Sequence, residues 1–143
     1  MQRNTLFEQL KMHSIAIMSL IIAIVALTYT AWREEVTEKN RSTRLAAFEA
    51  LKALGELQII INHAHYQPNA PLGNPFLGWG YVALVGDMGQ LLPAPIPVKT
   101  SQLTKVWGAQ WEKISTDETA LDEITREVDT SRSAVLEVLR SLR

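Results

Sequence analysis

Residues 14–32 (SIAIMSLIIAIVALTYTAW) carry no charge, with His13 before them and Arg33 after. At about 1.5 Å per residue, a helix over this run covers about 28 Å, close to the roughly 30 Å hydrocarbon core of a bilayer. A single segment in lipid satisfies its backbone groups only as a helix. The run therefore predicts one N-terminal transmembrane helix behind a short tail at 1–13. Tyr29 and Trp32 lie at its C-terminal edge, where amphipathic rings prefer the interface. With His13 and Arg33 they are the expected interface anchors. A cleaved signal peptide is the competing reading. It is disfavoured because the run exceeds the ~7–15 residues of a signal core, and because Tyr29 and Trp32 put bulky rings where a small-residue cleavage site belongs.

Polar residues then dominate 33–44 (REEVTEKNRSTR), which contain neither glycine nor proline. Ala47, Leu51, Leu54, Leu57, Ile61 and Ala64 follow at three- and four-residue steps, the period of an amphipathic helix. A long helix over 33–66 is expected, continuous with the membrane span and forming one rod of about 80 Å. Ala46, Ala50 and Ala53 make a small-residue strip beside the larger one, with Gly55 nearby. Such a strip either admits a close neighbouring helix or reflects the helix propensity of alanine. Pro68, Pro71, Gly73 and Pro75 punctuate a loop at 67–75. Residues 76–92 are apolar and hold four glycines. A buried core helix suits them better than a second span or a membrane-grazing segment, because Asp87, Gln90 and the glycines make insertion costly.

Three prolines predict a loop at 93–99, after which helices are expected at 101–114 and 116–142. Ser115 and Glu118 have the spacing of a capping box. Leu121, Ile124, Val128, Ser131, Val135, Val138 and Leu142 alternate three- and four-residue steps, a seam that packs along the whole last helix. The fold class is therefore all-α: a single N-terminal transmembrane helix continuing into a small bundle of about four helices at 33–143.

Composition narrows the function. The net charge of -1 gives no basic surplus for nucleic acid, and the absence of cysteine excludes disulfides, thiolate catalysis and zinc–cysteine sites. Positive charges flank the span almost evenly once the terminal amine is counted with Arg3 and Lys11. Arg3 and Lys11 stand on one side; Arg33, Lys39, Arg41 and Arg44 stand on the other, diluted by Glu34, Glu35 and Glu38. The count favours a cytoplasmic C-terminal domain, whereas a short N-terminal tail ordinarily stays inside. The balance tips slightly to an outward-facing domain in a bacterial inner membrane.

Few residues carry candidate chemistry. His63 and His65 point about 200° apart on a helix, so they share no metal there. Asp87 lies in an apolar stretch and requires solvent, a partner or a proton. No catalytic residue, metal site or cofactor is expected, and an enzyme is disfavoured; a proton path through Asp87 and the histidines is the remaining catalytic reading. Trp107 and Trp111 share a face at i,i+4; core packing is the first explanation, and an exposed pair would mark a partner surface or the membrane interface. With Trp79 and the seam residues Leu121, Ile124, Val128, Val135, Val138 and Leu142, they form the candidate interaction surface. The expected function is a membrane-anchored interaction module, partnered by the lipid bilayer and by itself or another membrane protein. The alternative is a sensor whose bundle binds a ligand among Trp79, Tyr81, Trp107 and Trp111 and signals through the span.

Overall fold

The computed structural model describes residues 4–142 and their side chains from His13 onward. It is all-α. The first helix, α1, runs over Asn4–Tyr66 without interruption. No proline precedes Pro68, and Gly55 is the one glycine before it, so nothing breaks the hydrogen-bonded ladder. The tail expected at 1–13 is thus helical from Asn4, and residues 1–3 lie outside the described residues. A loop and a short 3₁₀ turn at Pro75–Leu77 lead into α2 (Gly78–Gln90). Next come α3 (Ile96–Gln110), a second 3₁₀ turn at Trp111–Lys113, and α4 (Glu118–Ser141). By its internal contacts the chain divides into two compact units, Met1–Asn40 and Arg41–Arg143.

Predicted boundaries are corrected at both ends of α3 and at the start of α4; the helix expected at 101–114 ends at Gln110, before the 3₁₀ turn. The loop expected at 93–99 ends early, because α3 starts at Ile96 with proline at its first turn. Proline is tolerated there, since the amide it lacks has no partner inside the helix. At α4 the cap is Asp117 rather than Ser115, its carboxylate accepting from Thr119 N at 2.9 Å. Ser115 and Thr116 instead belong to the preceding turn, in which the Thr116 and Asp117 amides donate to Lys113 O.

In the second unit the helices alternate in direction. Arg44 donates to Leu142 O, Arg132 to Leu54 O, and His65 Nδ1 lies 2.7 Å from Ile114 O. As α1 advances its α4 partners recede, so the pair is antiparallel. The α2–α3 pair is antiparallel by the same logic, with Gly78 against Trp107 and Gly89 against Thr100. At both crossings a Cβ would overlap the facing side chain, which is why glycine stands there. Leu54, Leu57, Ile61, Val82, Val85, Leu103, Trp107, Ile124 and Val128 form the main core. A second cluster joins Ala46, Ala47 and Ala50 to Leu92, Ile96, Val135 and Val138. Burial of this apolar surface is the chief stabilising term.

A buried hydroxyl in the core works against stability. Ser131 is fully buried, and its hydroxyl has no hydrogen-bond partner among the described residues. An unsatisfied buried hydroxyl costs about 1–3 kcal/mol. Ser131→Ala is therefore expected to be neutral or to stabilise the full chain by up to about 1 kcal/mol, read as a raised denaturation midpoint in detergent. A clear loss of stability would show that the hydroxyl has a partner.

Candidate interaction surface

The fold covers some apolar side chains and leaves others open, and the open ones define the candidate site. Among the described residues only α1 is long and apolar enough to cross a membrane, and none of its apolar window is buried. Ile15, Leu20, Ile22, Val25 and Leu27 are all more than half exposed. Polar side chains inside the run are satisfied within the helix: Ser19 Oγ donates to Ile15 O at 2.8 Å, Thr28 Oγ1 to Ile24 O at 2.8 Å, and Thr30 Oγ1 to Ala26 O at 2.9 Å. Nothing polar in these three hydroxyls then requires water, as a lipid environment demands. The expected anchors His13, Tyr29, Trp32 and Arg33 are all exposed. The Tyr29 and Trp32 rings lie 6.2 Å apart, on one side of the helix end.

In the second unit α1 has two apolar faces. One holds Ala47, Ala50, Leu54, Leu57, Ile61 and Ala64, all at 0% exposure. The small-residue strip of Ala46, Ala50 and Ala53 belongs to this face, so it admits the chain's own helices. The opposite face carries Leu45, Phe48, Ile59 and Tyr66, exposed by 60, 59, 44 and 72%. Sequence reasoning missed this face. Its signal was present, since Leu45, Phe48, Ile59 and Tyr66 all stand off the core pattern, but periodicity alone does not say which face another helix covers.

The remaining expected surface lies inside the chain. Leu121, Ile124, Val128, Val135 and Val138 are buried in the two core clusters, and Leu142 packs against the second of them. Trp107 is fully buried, with Trp79 and Trp111 half-buried against the core. Their rings meet edge to face, Trp79 with Trp107 at 6.5 Å and with Trp111 at 6.4 Å, and Phe76 extends the row to Trp111 at 6.1 Å. Of the two readings of these residues, core packing and an interaction surface, burial within the bundle is the one the structure has. A groove of about 750 Å³ is lined by Lys99, Asp122, Arg126, Asp129 and Glu137 on α3 and α4, and none of the tryptophans lines it. Comparison with protein-family models, curated proteins and solved structures returned no match.

The polar candidates also separate. Asp87 is exposed on α2, whose buried face consists of Gly78, Val82, Val85 and Gly89. Its apolar sequence neighbours therefore do not surround it, and solvent reaches the carboxylate. His63 and His65 both fall within α1. A carbonyl oxygen only accepts, so the contact with Ile114 O places a proton on His65 Nδ1. That ring also stacks edge-on against Tyr66. The Nδ1 of His63 is buried with no hydrogen-bond partner among the described residues. The two imidazoles thus have separate surroundings, and no group of three metal-ligating side chains occurs among the described residues.

Proposed function

We propose that the protein is a membrane-anchored helical interaction module, assembling with itself or serving as the accessory subunit of a membrane complex. One observation carries the reading. The bundle completes its own core, yet α1 keeps a wholly unburied apolar run at its N-terminal end and a second apolar face beside the core. A bilayer satisfies the run, whose length and interface rings suit it. The second face suits another protein, since large apolar side chains aligned along one helix mark a contact surface. The proposal assigns the chain no catalytic chemistry of its own.

The reading is tested by extracting membranes that contain the tagged full chain directly into lipid nanodiscs with an amphipathic polymer, without detergent, and weighing the particle by native mass spectrometry. A particle with more than one protein chain is expected. A strictly monomeric particle with no stoichiometric co-purifying protein would overturn the proposal.

A further inference from the structure

We infer that the outer face of α1 over residues 45–66 pairs with the same face of a second copy, as a parallel two-stranded coil. This inference rests on the membrane-anchored reading and names its partner. Leu45, Phe48, Lys52, Gly55, Ile59, Asn62 and Tyr66 succeed one another in alternating steps of three and four residues. That is the spacing of a coiled-coil seam, with Leu45, Lys52, Ile59 and Tyr66 at one set of layers and Phe48, Gly55 and Asn62 at the other. All but Gly55 are exposed, and Gly55 is half-buried. A Cβ built on Gly55 meets nothing within 4 Å, so no contact inside the chain calls for glycine there. Mid-helix glycine costs about 1 kcal/mol relative to alanine. A closely approaching second backbone is a use for the missing side chain.

Three arguments select a second copy as the occupant. First, copies inserted in one bilayer with one topology carry this face on the same side of the membrane, so a second copy is always within reach. In the parallel, in-register pairing inferred here each seam residue faces its own counterpart. Second, the flanking charges complement each other in that register. Arg44 precedes the Leu45 layer, and Glu49 stands five residues on, the offset at which opposite flanks of a parallel pair meet. Arg44 gives one nitrogen to Leu142 O at 3.0 Å and keeps further donors. Lys52 lies between Glu49 and Glu56 at helical spacing, so its charge at the seam has carboxylates on either side. Lys52 and Asn62 are the polar seam positions, and polar residues at such layers specify register at a cost in stability.

Third, the area fits an anchored pair. Phe48 and Tyr66 each leave roughly 100–150 Å² open, judged against 150–250 Å² for such rings. Even with Leu45 and Ile59, the face falls short of the ~800 Å² per partner of a stable interface between free proteins. Confinement to one membrane supplies the missing affinity through a raised effective concentration. The pair therefore forms in the bilayer and weakens on dilution in detergent.

The chain has no cysteine, so single cysteines report without background. Full-length Gly55→Cys and Phe48→Cys variants in native membranes are oxidised and compared with Ser133→Cys, an exposed position on α4. Homodimer cross-linking at least tenfold higher at 55 and 48 than at 133 is expected. Adding Phe48→Glu and Ile59→Glu to the Gly55→Cys chain should abolish most of it. Retained helix content would confirm that the bundle survives. Equal cross-linking at all three positions overturns the inference. A different protein captured at 55 in a one-to-one complex overturns it too, yet leaves the accessory-subunit form of the proposed function standing. Absence of any cross-linked or co-purified chain sinks both.

Discussion

Arginine at both Ile22 and Val25 is expected to remove the protein from the alkali-resistant membrane fraction. Both side chains are open on the apolar run, at 64 and 62% exposure. Aliphatic residues at the centre of a span each contribute about 0.3–0.6 kcal/mol to insertion, whereas an arginine there costs about 2.5–3.5 kcal/mol. Two arginines outweigh the whole aliphatic gain of the run. After carbonate extraction the unaltered chain should stay in the pellet, and the double variant should appear in the supernatant or be degraded. Leucine at the same positions should change nothing. If the unaltered chain is itself extracted by carbonate, the apolar run is not a membrane anchor.

Truncating Trp107 should cause the largest loss inside the bundle. Its ring is fully buried where α3 crosses α2, against Gly78 and the edge of Trp79. A Trp→Ala change in a core costs about 3–5 kcal/mol. The upper part of that range applies, because Gly78 has no side chain to move into the space. For a domain near 100 residues each kcal/mol shifts the thermal midpoint by about 4–8 °C, so a fall of more than about 12 °C is expected. Circular dichroism of the full chain in detergent reads it. Trp107→Phe should be far milder, since the indole Nε1 has no hydrogen-bond partner among the described residues and nothing is lost with it. Equal damage from Phe and Ala would contradict this account of the site.

Much of the architecture was legible because the strongest signals were long and regular. The uncharged run at 14–32 and the seam from Leu121 to Leu142 extend over many turns, and each is helical in the structure, the seam as far as Ser141 with Leu142 as its C-cap. Local punctuation was less informative. Pro93, Pro95 and Pro97 read as a breaker, yet a proline in a first turn starts a helix as readily as it ends one. Ser115 and Glu118 had the spacing of a capping box, but spacing does not reveal that the residues between them close a separate turn. The surface was harder still. An apolar stripe states that something covers it, and only the fold states what does. The α4 seam found its cover inside the chain, whereas Leu45, Phe48, Ile59 and Tyr66 did not. For Asp87 the sequence left solvent, a partner or a proton open; on the helix its apolar neighbours point elsewhere, and solvent reaches it.

The antiparallel fit of α4 against α1 also orders events on the ribosome. At ~5–20 residues per second, the stretch between Tyr66 and Ser141 takes about 4–15 s to make. For that time the first helix is complete while the helix that covers Leu54 does not yet exist. The Arg44–Leu142 contact, tying the start of the bundle to its far end, is among the last to close. Throughout that interval the face of α1 that packs against α4 in the finished fold stays uncovered.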